Sequence, residues 1–156
     1  MTAGPAAKGP GLPGSVLFLC GMNAIRSPMA EMIAKVRLPH SVFVRSAGVR
    51  AGERDPFVDV VLAEKGLSLG DREPIELDDL EDAYFDLIVT LAPEAHHAAL
   101  ELTRSMAVDV EYWPTPDPSV ATGTREQILN AYRDAFDRLE ARIAARFAAA
   151  RRPGSR

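Results

Sequence analysis

Apolar and polar positions alternate along the chain in a way that predicts strands and helices in turn. Val16-Leu17-Phe18-Leu19 is an unbroken apolar run, the pattern of a short strand buried on both faces. Ser27 to Arg37 follows with helical spacing. Ser27 can cap it, Pro28 suits a first helical position, and Met29, Met32, Ile33 and Val36 share one face. Val42-Phe43-Val44 predicts a second strand, ending in Ser46-Ala47-Gly48. Asp55-Pro56 opens a second helix carrying Phe57, Val60, Val61 and Leu62, with Gly66 to stop it. Phe85-Asp86-Leu87-Ile88-Val89-Thr90-Leu91 predicts a third strand, and Pro93 starts a helix running to about Leu102. Met106 to Tyr112 alternates through Val108, Val110 and Tyr112 as a fourth strand does. From Thr124 to Ala150 the stripe Ile128, Tyr132, Phe136, Leu139, Ile143 and Phe147 predicts the longest helix, opened by the capping box Thr124-Arg125-Glu126-Gln127.

This order predicts a single α/β domain over residues 15–150: a four-stranded, mostly parallel sheet with helices on both faces and right-handed crossovers. The Ala, Gly and Pro of Met1 to Gly14 cannot build a core and predict a flexible lead-in, and Arg151 to Arg156 a flexible tail. Ligands in such sheets bind beyond the carboxyl ends of the strands. The positions to search therefore follow Leu19, Val44, Leu91 and Tyr112.

Composition narrows the function. A length of 156 residues, with 47% hydrophobic and 26% charged, fits one globular domain. The net charge of −4 argues against a dedicated nucleic-acid binder. No segment approaches a membrane span and no secretory signal is legible, so the expected setting is the cytoplasm without a membrane partner. The one cysteine, Cys20, excludes an intramolecular disulfide and any multi-cysteine metal site. His40 and the adjacent pair His96 and His97 offer no zinc set, so no metal or cofactor is expected.

The chemistry concentrates after the first strand, in Cys20-Gly21-Met22-Asn23-Ala24-Ile25-Arg26-Ser27-Pro28. Five residues separate Cys20 from Arg26, and a helix starts at once. A loop of that length can wrap the N–H groups of Gly21, Met22, Asn23, Ala24, Ile25, Arg26 and Ser27 around a tetrahedral oxyanion, with the helix N-terminus adding positive potential. Arg26 can grip two oxygens through its planar fork. Cys20 then lies beneath the central atom, in surroundings of the kind that favour a thiolate. Ser27 can donate to the sulfur, and Asn23 tolerates the left-handed backbone a tight loop needs. A bare Cys-x5-Arg is a weak signal; its place between an apolar strand and a Ser-Pro helix start makes it specific.

This stretch resembles the low-molecular-weight protein tyrosine phosphatases and the related thioredoxin-linked arsenate reductases. Their pattern, Cys-x-Gly-Asn-x-Cys-Arg-Ser, is met at Cys20, Asn23, Arg26 and Ser27, and Pro28-Met29-Ala30-Glu31 extends it. Ser46-Ala47-Gly48, Phe85-Asp86-Leu87-Ile88 and Asp117-Pro118 add to the similarity, which spans about residues 15 to 148. The resemblance implies the phosphatase type I fold, Cys20 as nucleophile, Arg26 as phosphate clamp and Asp117 as general acid. It also implies that Asn23, Ser27 and Ser46 hold the loop. Its expected partners are a phosphorylated protein or a small aryl phosphate, with phosphate, sulfate or arsenate as ligand ions.

Two Asp-Pro pairs compete for the acid's role. Asp55-Pro56 has the form of a helix cap, whereas Asp117 lies in the proline-stiffened stretch Trp113-Pro114-Thr115-Pro116-Asp117-Pro118 leaving the fourth strand. The chain also departs from the family. Met22 replaces the usual glycine and Ile25 the usual second cysteine; Ser119 and Val120 stand where tyrosines commonly wall the site; the histidine often found after the second helix is replaced around Asp71. Trp113 can supply an aromatic wall or pack in the core, and His96 can face the pocket or solvent. Gly9-Pro10-Gly11-Leu12-Pro13-Gly14 matches a dinucleotide fingerprint only formally, since it precedes the first strand. The acids of Asp71 to Asp86 predict a solvated face, and the arginines of the final helix and tail complement the helix dipole and leave room for a weak anionic contact. Three functions follow: a phosphomonoesterase of tyrosine phosphatase type, an arsenate reductase using an external thiol, and a catalytically weak phosphate- or phosphoprotein-binding module.

Overall fold

The computed structural model describes residues 12–80 and 84–151. Four strands form one sheet: β1 (Ser15–Cys20), β2 (Phe43–Gly48), β3 (Leu87–Thr90) and β4 (Asp109–Tyr112). Their spatial order is β2-β1-β3-β4, with every neighbouring pair parallel. The helices are α1 (Arg26–Arg37), α2 (Pro56–Glu64), α3 (Pro93–Leu102) and α4 (Arg125–Arg151). Short 3₁₀ turns occupy Leu77–Asp79 and Pro118–Val120.

The apolar run of β1 is buried because helices cover both sides of the sheet. Val16, Phe18 and Cys20 join residues of α1, α2 and α4 in one cluster, including Met29, Ile33, Val58, Val61, Phe136, Leu139 and Phe147. Leu17 and Leu19 face the other way, onto Ala95 and Ala99 of α3 with Leu80, Phe85 and Ile88. Each buried Leu, Ile or Phe contributes about 1.5–3 kcal/mol relative to exposure. The period of two along β1 thus places the sulfur of Cys20 on the α4 side of the sheet.

Several predicted boundaries move. The third and fourth strands are shorter than their apolar patterns, because only Leu87–Thr90 and Asp109–Tyr112 keep the ladder. Helix α1 begins one residue early, at Arg26, with Ile25 at its N-cap and no side-chain cap. Ser27 therefore does not cap the helix; its hydroxyl is engaged beside Cys20 instead. Val36 is 66% exposed, so it leaves the buried face assigned to it. The box that opens α4 forms in both directions: Gln127 N–H donates to Thr124 Oγ1 at 3.1 Å, and Thr124 N–H to Gln127 Oε1 at 2.8 Å. Gly66, at φ 74°, ends α2 in the left-handed conformation. Among the described residues, no helix is long and apolar enough to cross a membrane. The expected lead-in lies outside the described residues up to position 11, and the tail from position 152.

Candidate active site

The carboxyl end of β1 is where the site begins. Cys20 ends the strand in register with Gly48 of β2, and the chain then turns into α1. The turn needs a left-handed residue, and Asn23 supplies it at φ 54°. The segment after β2 zips along the loop: the Val49, Arg50 and Gly52 N–H groups donate to the carbonyls of Cys20, Gly21 and Met22 at 3.0, 2.9 and 2.8 Å. Such close approach explains Gly48, where an added Cβ would lie 2.4 Å from the Arg50 carbonyl oxygen and 2.6 Å from the Asn23 nitrogen.

Polar side chains hold the loop from beneath. Cys20 Sγ lies 2.9 Å from Ser27 Oγ. Ser27 Oγ also accepts from Asn23 Nδ2 at 2.9 Å and lies within donating reach of the Ala47 carbonyl at 3.3 Å. The other Asn23 amide hydrogen goes to Ser46 Oγ at 3.0 Å, and Asn23 Oδ1 accepts from the Ile75 N–H at 2.8 Å. Ser46 donates to Glu31 Oε1 at 2.6 Å and accepts from Arg72 Nη2 at 2.7 Å. Asn23, Ser27, Glu31 and Ser46 are all buried. Burial without partners would cost each of these groups about 1–3 kcal/mol, and each has its partner here.

Above the loop opens a cavity of about 230 Å³ lined by Cys20, Met22, Ala24, Ile25, Arg26, Gly52, Glu53, Asp55, Asp117 and Ser119. Cys20, Arg26 and Asp117, nearly a hundred residues apart at the extremes, therefore share one cavity. Arg26 is steered by the chain leaving β4: its Nη1 donates to the Thr115 carbonyl at 2.8 Å. Asp117 Oδ1 accepts from both the N–H and the hydroxyl of Ser119, at 2.9 and 2.7 Å.

The structure corrects part of the sequence reading. Asp55 does cap α2, its Oδ1 accepting from the Phe57 N–H at 2.8 Å, yet it also lines the cavity beside Asp117. Its Oδ2 accepts from the Tyr132 hydroxyl of α4 at 2.7 Å. Burial, reinforced by the Asp55 hydrogen bond and charge, pushes the Tyr132 phenol well above its ordinary value. Position after the second strand was the signal that pointed to Asp55, and the cap explanation hid it. Trp113 packs edge-on against Phe18 under the Arg142 guanidinium and is 2% exposed, so it walls no part of the cavity. His96 stacks on Tyr112 with Nδ1 3.0 Å from Thr90 Oγ1, also outside it. Of the four strand ends, three line the cavity and the one after Leu91 does not. Met22 stands at the rim, 44% exposed; Ser119 faces the cavity, whereas Val120 is 77% exposed outside it. Glu31 was legible as a lone acid among apolar residues of α1; nothing in the spacing singled out Arg72.

The family model described as low molecular weight phosphotyrosine protein phosphatase matches residues 15–152. An arsenate reductase of Shouchella clausii is 34% identical over 130 residues, covering 82% of this chain and 91% of that protein. A tyrosine phosphatase structure from Erwinia amylovora is similar at TM-score 0.69 and 24% identity, covering 89% of this chain and 93% of that one. An arsenate reductase structure from Archaeoglobus fulgidus reaches TM-score 0.65 at 29% identity, covering 83% and 96% respectively. With the match spanning the whole sheet, every helix and the loop between Cys20 and Ser27, the chain belongs to the low molecular weight phosphotyrosine protein phosphatase family.

Proposed function

We propose that the protein hydrolyses phosphate monoesters through a cysteinyl-phosphate intermediate, as a tyrosine phosphatase. The observation that carries this reading is the shared cavity, which Cys20, Arg26 and Asp117 all line. The Cys20 thiolate attacks phosphorus in line; the S–P bond forms as the O–P bond to the alcohol breaks. The Asp117 carboxylic acid gives its proton to the departing oxygen, then accepts one from the water that cleaves the S–P bond. Arg26 and the loop N–H groups from Gly21 to Arg26 hold the equatorial oxygens, where charge is greatest. The carbonyls of Cys20, Gly21 and Met22 are already taken by the segment after β2, which leaves the loop its donors for the anion.

Asp117 suits the acid's role better than Asp55. Both oxygens of Asp55 accept hydrogen bonds, from Phe57 and Tyr132. At Asp117 both donors converge on Oδ1, and Oδ2 is left to carry a proton. The expected substrates are a phosphorylated protein or a small aryl phosphate, and phosphate, sulfate or arsenate would occupy the same cradle.

Rapid-quench kinetics with an aryl phosphate test the reading. A burst of phenol equal to the enzyme concentration, absent in Cys20→Ser, is the expected result. Tight phosphate binding without any turnover would instead support a binding module.

The names of several relatives favour arsenate reduction as a second reading. Arsenate is a tetrahedral oxyanion of the same charge, but its reduction to arsenite needs two electrons from a pair of thiols. Cys20 is the one cysteine of the 156 residues, so the second thiol must come from another molecule. Thiol-dependent arsenite formation by the purified protein would place this reading first.

A further inference from the structure

We propose that Arg72 is a positioning residue for the anion-binding loop, acting through Ser46 and Asn23 on the backbone that receives the phosphoryl group. The inference rests on the phosphatase reading of the cavity and deepens it.

Arg72 lies in the connection between α2 and β3 and does not line the cavity. Its Nη2 reaches three oxygens: Ser46 Oγ at 2.7 Å, the Ser46 carbonyl at 3.1 Å and Glu31 Oε1 at 2.7 Å. Ser46 Oγ thereby reaches the full capacity of a hydroxyl, donating once to Glu31 and accepting twice, from Arg72 and Asn23. Because Glu31 takes the hydroxyl's only proton, Ser46 can meet Asn23 only as an acceptor. That fixes which end of the Asn23 amide faces it, and so delivers Oδ1 to the Ile75 N–H and the second amide hydrogen to Ser27. Asn23 is the left-handed residue on which the loop turns. The cation at Arg72 is thus two hydrogen bonds from the loop backbone and three from Ser27, the partner of the sulfur.

The charge that Arg72 meets is the carboxylate of Glu31. Glu31 is buried on α1, and without a cation beside it its carboxylate would be costly to ionise. Lys35 of α1 pairs with the other oxygen, Oε2, at 2.6 Å, and Arg45 of β2 lies near enough to Arg72 to oppose its charge. Burial lowers the Arg72 pKa while Glu31 raises it. A guanidinium stays protonated throughout the working range, so this support does not titrate. Arg54 holds the turn that carries Arg72, donating through Nη1 to the carbonyls of Gly70 and Arg72 at 2.6 and 3.2 Å.

The test compares Arg72→Met, Arg72→Lys and Arg72→His by calorimetric titration with inorganic phosphate and by steady-state kinetics on an aryl phosphate across pH. Misplacement of the loop by a fraction of an ångström predicts a loss of roughly 10- to 100-fold in phosphate affinity and in kcat/KM for Arg72→Met. Arg72→Lys should recover part of both. Arg72→His should approach wild type while its imidazole is protonated, a state the Glu31 carboxylate favours, and fall away from it as pH rises through that imidazolium's own titration. Phosphate affinity and kcat/KM of Arg72→Met within twofold of wild type would overturn the proposal. If Arg72→Met does not fold, the His-to-wild-type ratio decides, and a ratio that does not change across the imidazole's own titration, followed by NMR, overturns it. Phosphate titration needs no turnover, so a wild-type protein that binds phosphate without a phenol burst would defeat the phosphatase reading while Arg72 is still judged by affinity.

Discussion

Ser27→Ala isolates one hydroxyl whose single proton has two places to go. In the structure Ser27 Oγ lies 2.9 Å from Cys20 Sγ and 3.3 Å from the Ala47 carbonyl oxygen. In the proposed cysteinyl-phosphate the sulfur is a poor acceptor, and the proton belongs to the carbonyl. As water displaces the sulfur, negative charge returns to it and the proton is drawn across. The bond gained is charge-assisted, about 1.5–3 kcal/mol, and the long neutral bond surrendered is worth about 0.5–1 kcal/mol. The net, about 0.5–2.5 kcal/mol, corresponds to a roughly 2- to 70-fold acceleration of intermediate breakdown. The variant should form the cysteinyl-phosphate readily and lose it slowly. Rapid quench with a good leaving group would show a full burst followed by a steady-state rate lowered by that factor, and mass spectrometry would find the phosphorylated protein accumulating during turnover. Asn23 keeps its bonds to Ser46 and Ile75, so the loop should stay in place. A breakdown rate equal to wild type would refute the argument that this hydroxyl serves the departing sulfur.

Asp117→Asn should lower kcat/KM by about 10²- to 10⁴-fold on an alkyl or phenyl phosphate and far less on p-nitrophenyl phosphate, whose leaving group needs no proton; equal losses of kcat/KM on both would remove Asp117 from the acid's role. Tyr132→Phe deletes the donor to Asp55 Oδ2 and should cost about 1–2 kcal/mol, lowering Tm by roughly 2–8 °C in a thermal melt. The same phenol has a raised pKa in the fold, so its stabilisation is complete below the unfolded value of about 10 and lost as pH rises through the folded one. Alkaline unfolding monitored by circular dichroism should therefore lose this component in Tyr132→Phe. Gly48→Ala places a methyl against the backbone of Asn23 and Arg50, and should weaken phosphate binding together with stability; wild-type affinity by titration would contradict the close approach.

The order of strands and helices was legible because burial on two faces leaves its mark in composition and period. β1 reads as unbroken apolar, and α4 carries a stripe at helical spacing. The loop after β1 was legible too, since Cys20, Asn23, Arg26 and Ser27 lie within eight consecutive residues and the turn's demands act locally. Boundaries were not. β3 and β4 stop where ladder partners stop, a property of two segments at once.

Local pattern therefore carried the α/β alternation, the candidate site after the first strand and the residues that turn there. Tertiary structure alone decided which distant groups share the cavity. Asp55 reads locally as a cap, and only the packing of α4 beside α2 brings Tyr132 to its second oxygen. Arg72 has no local signature, and its meaning comes from the buried carboxylate of Glu31 that it meets across the fold. The physical reason is one of range. Backbone propensities and hydrophobic period are written within a few residues, whereas electrostatic and hydrogen-bond partners are chosen by proximity in space, after the sheet and its helices have assembled.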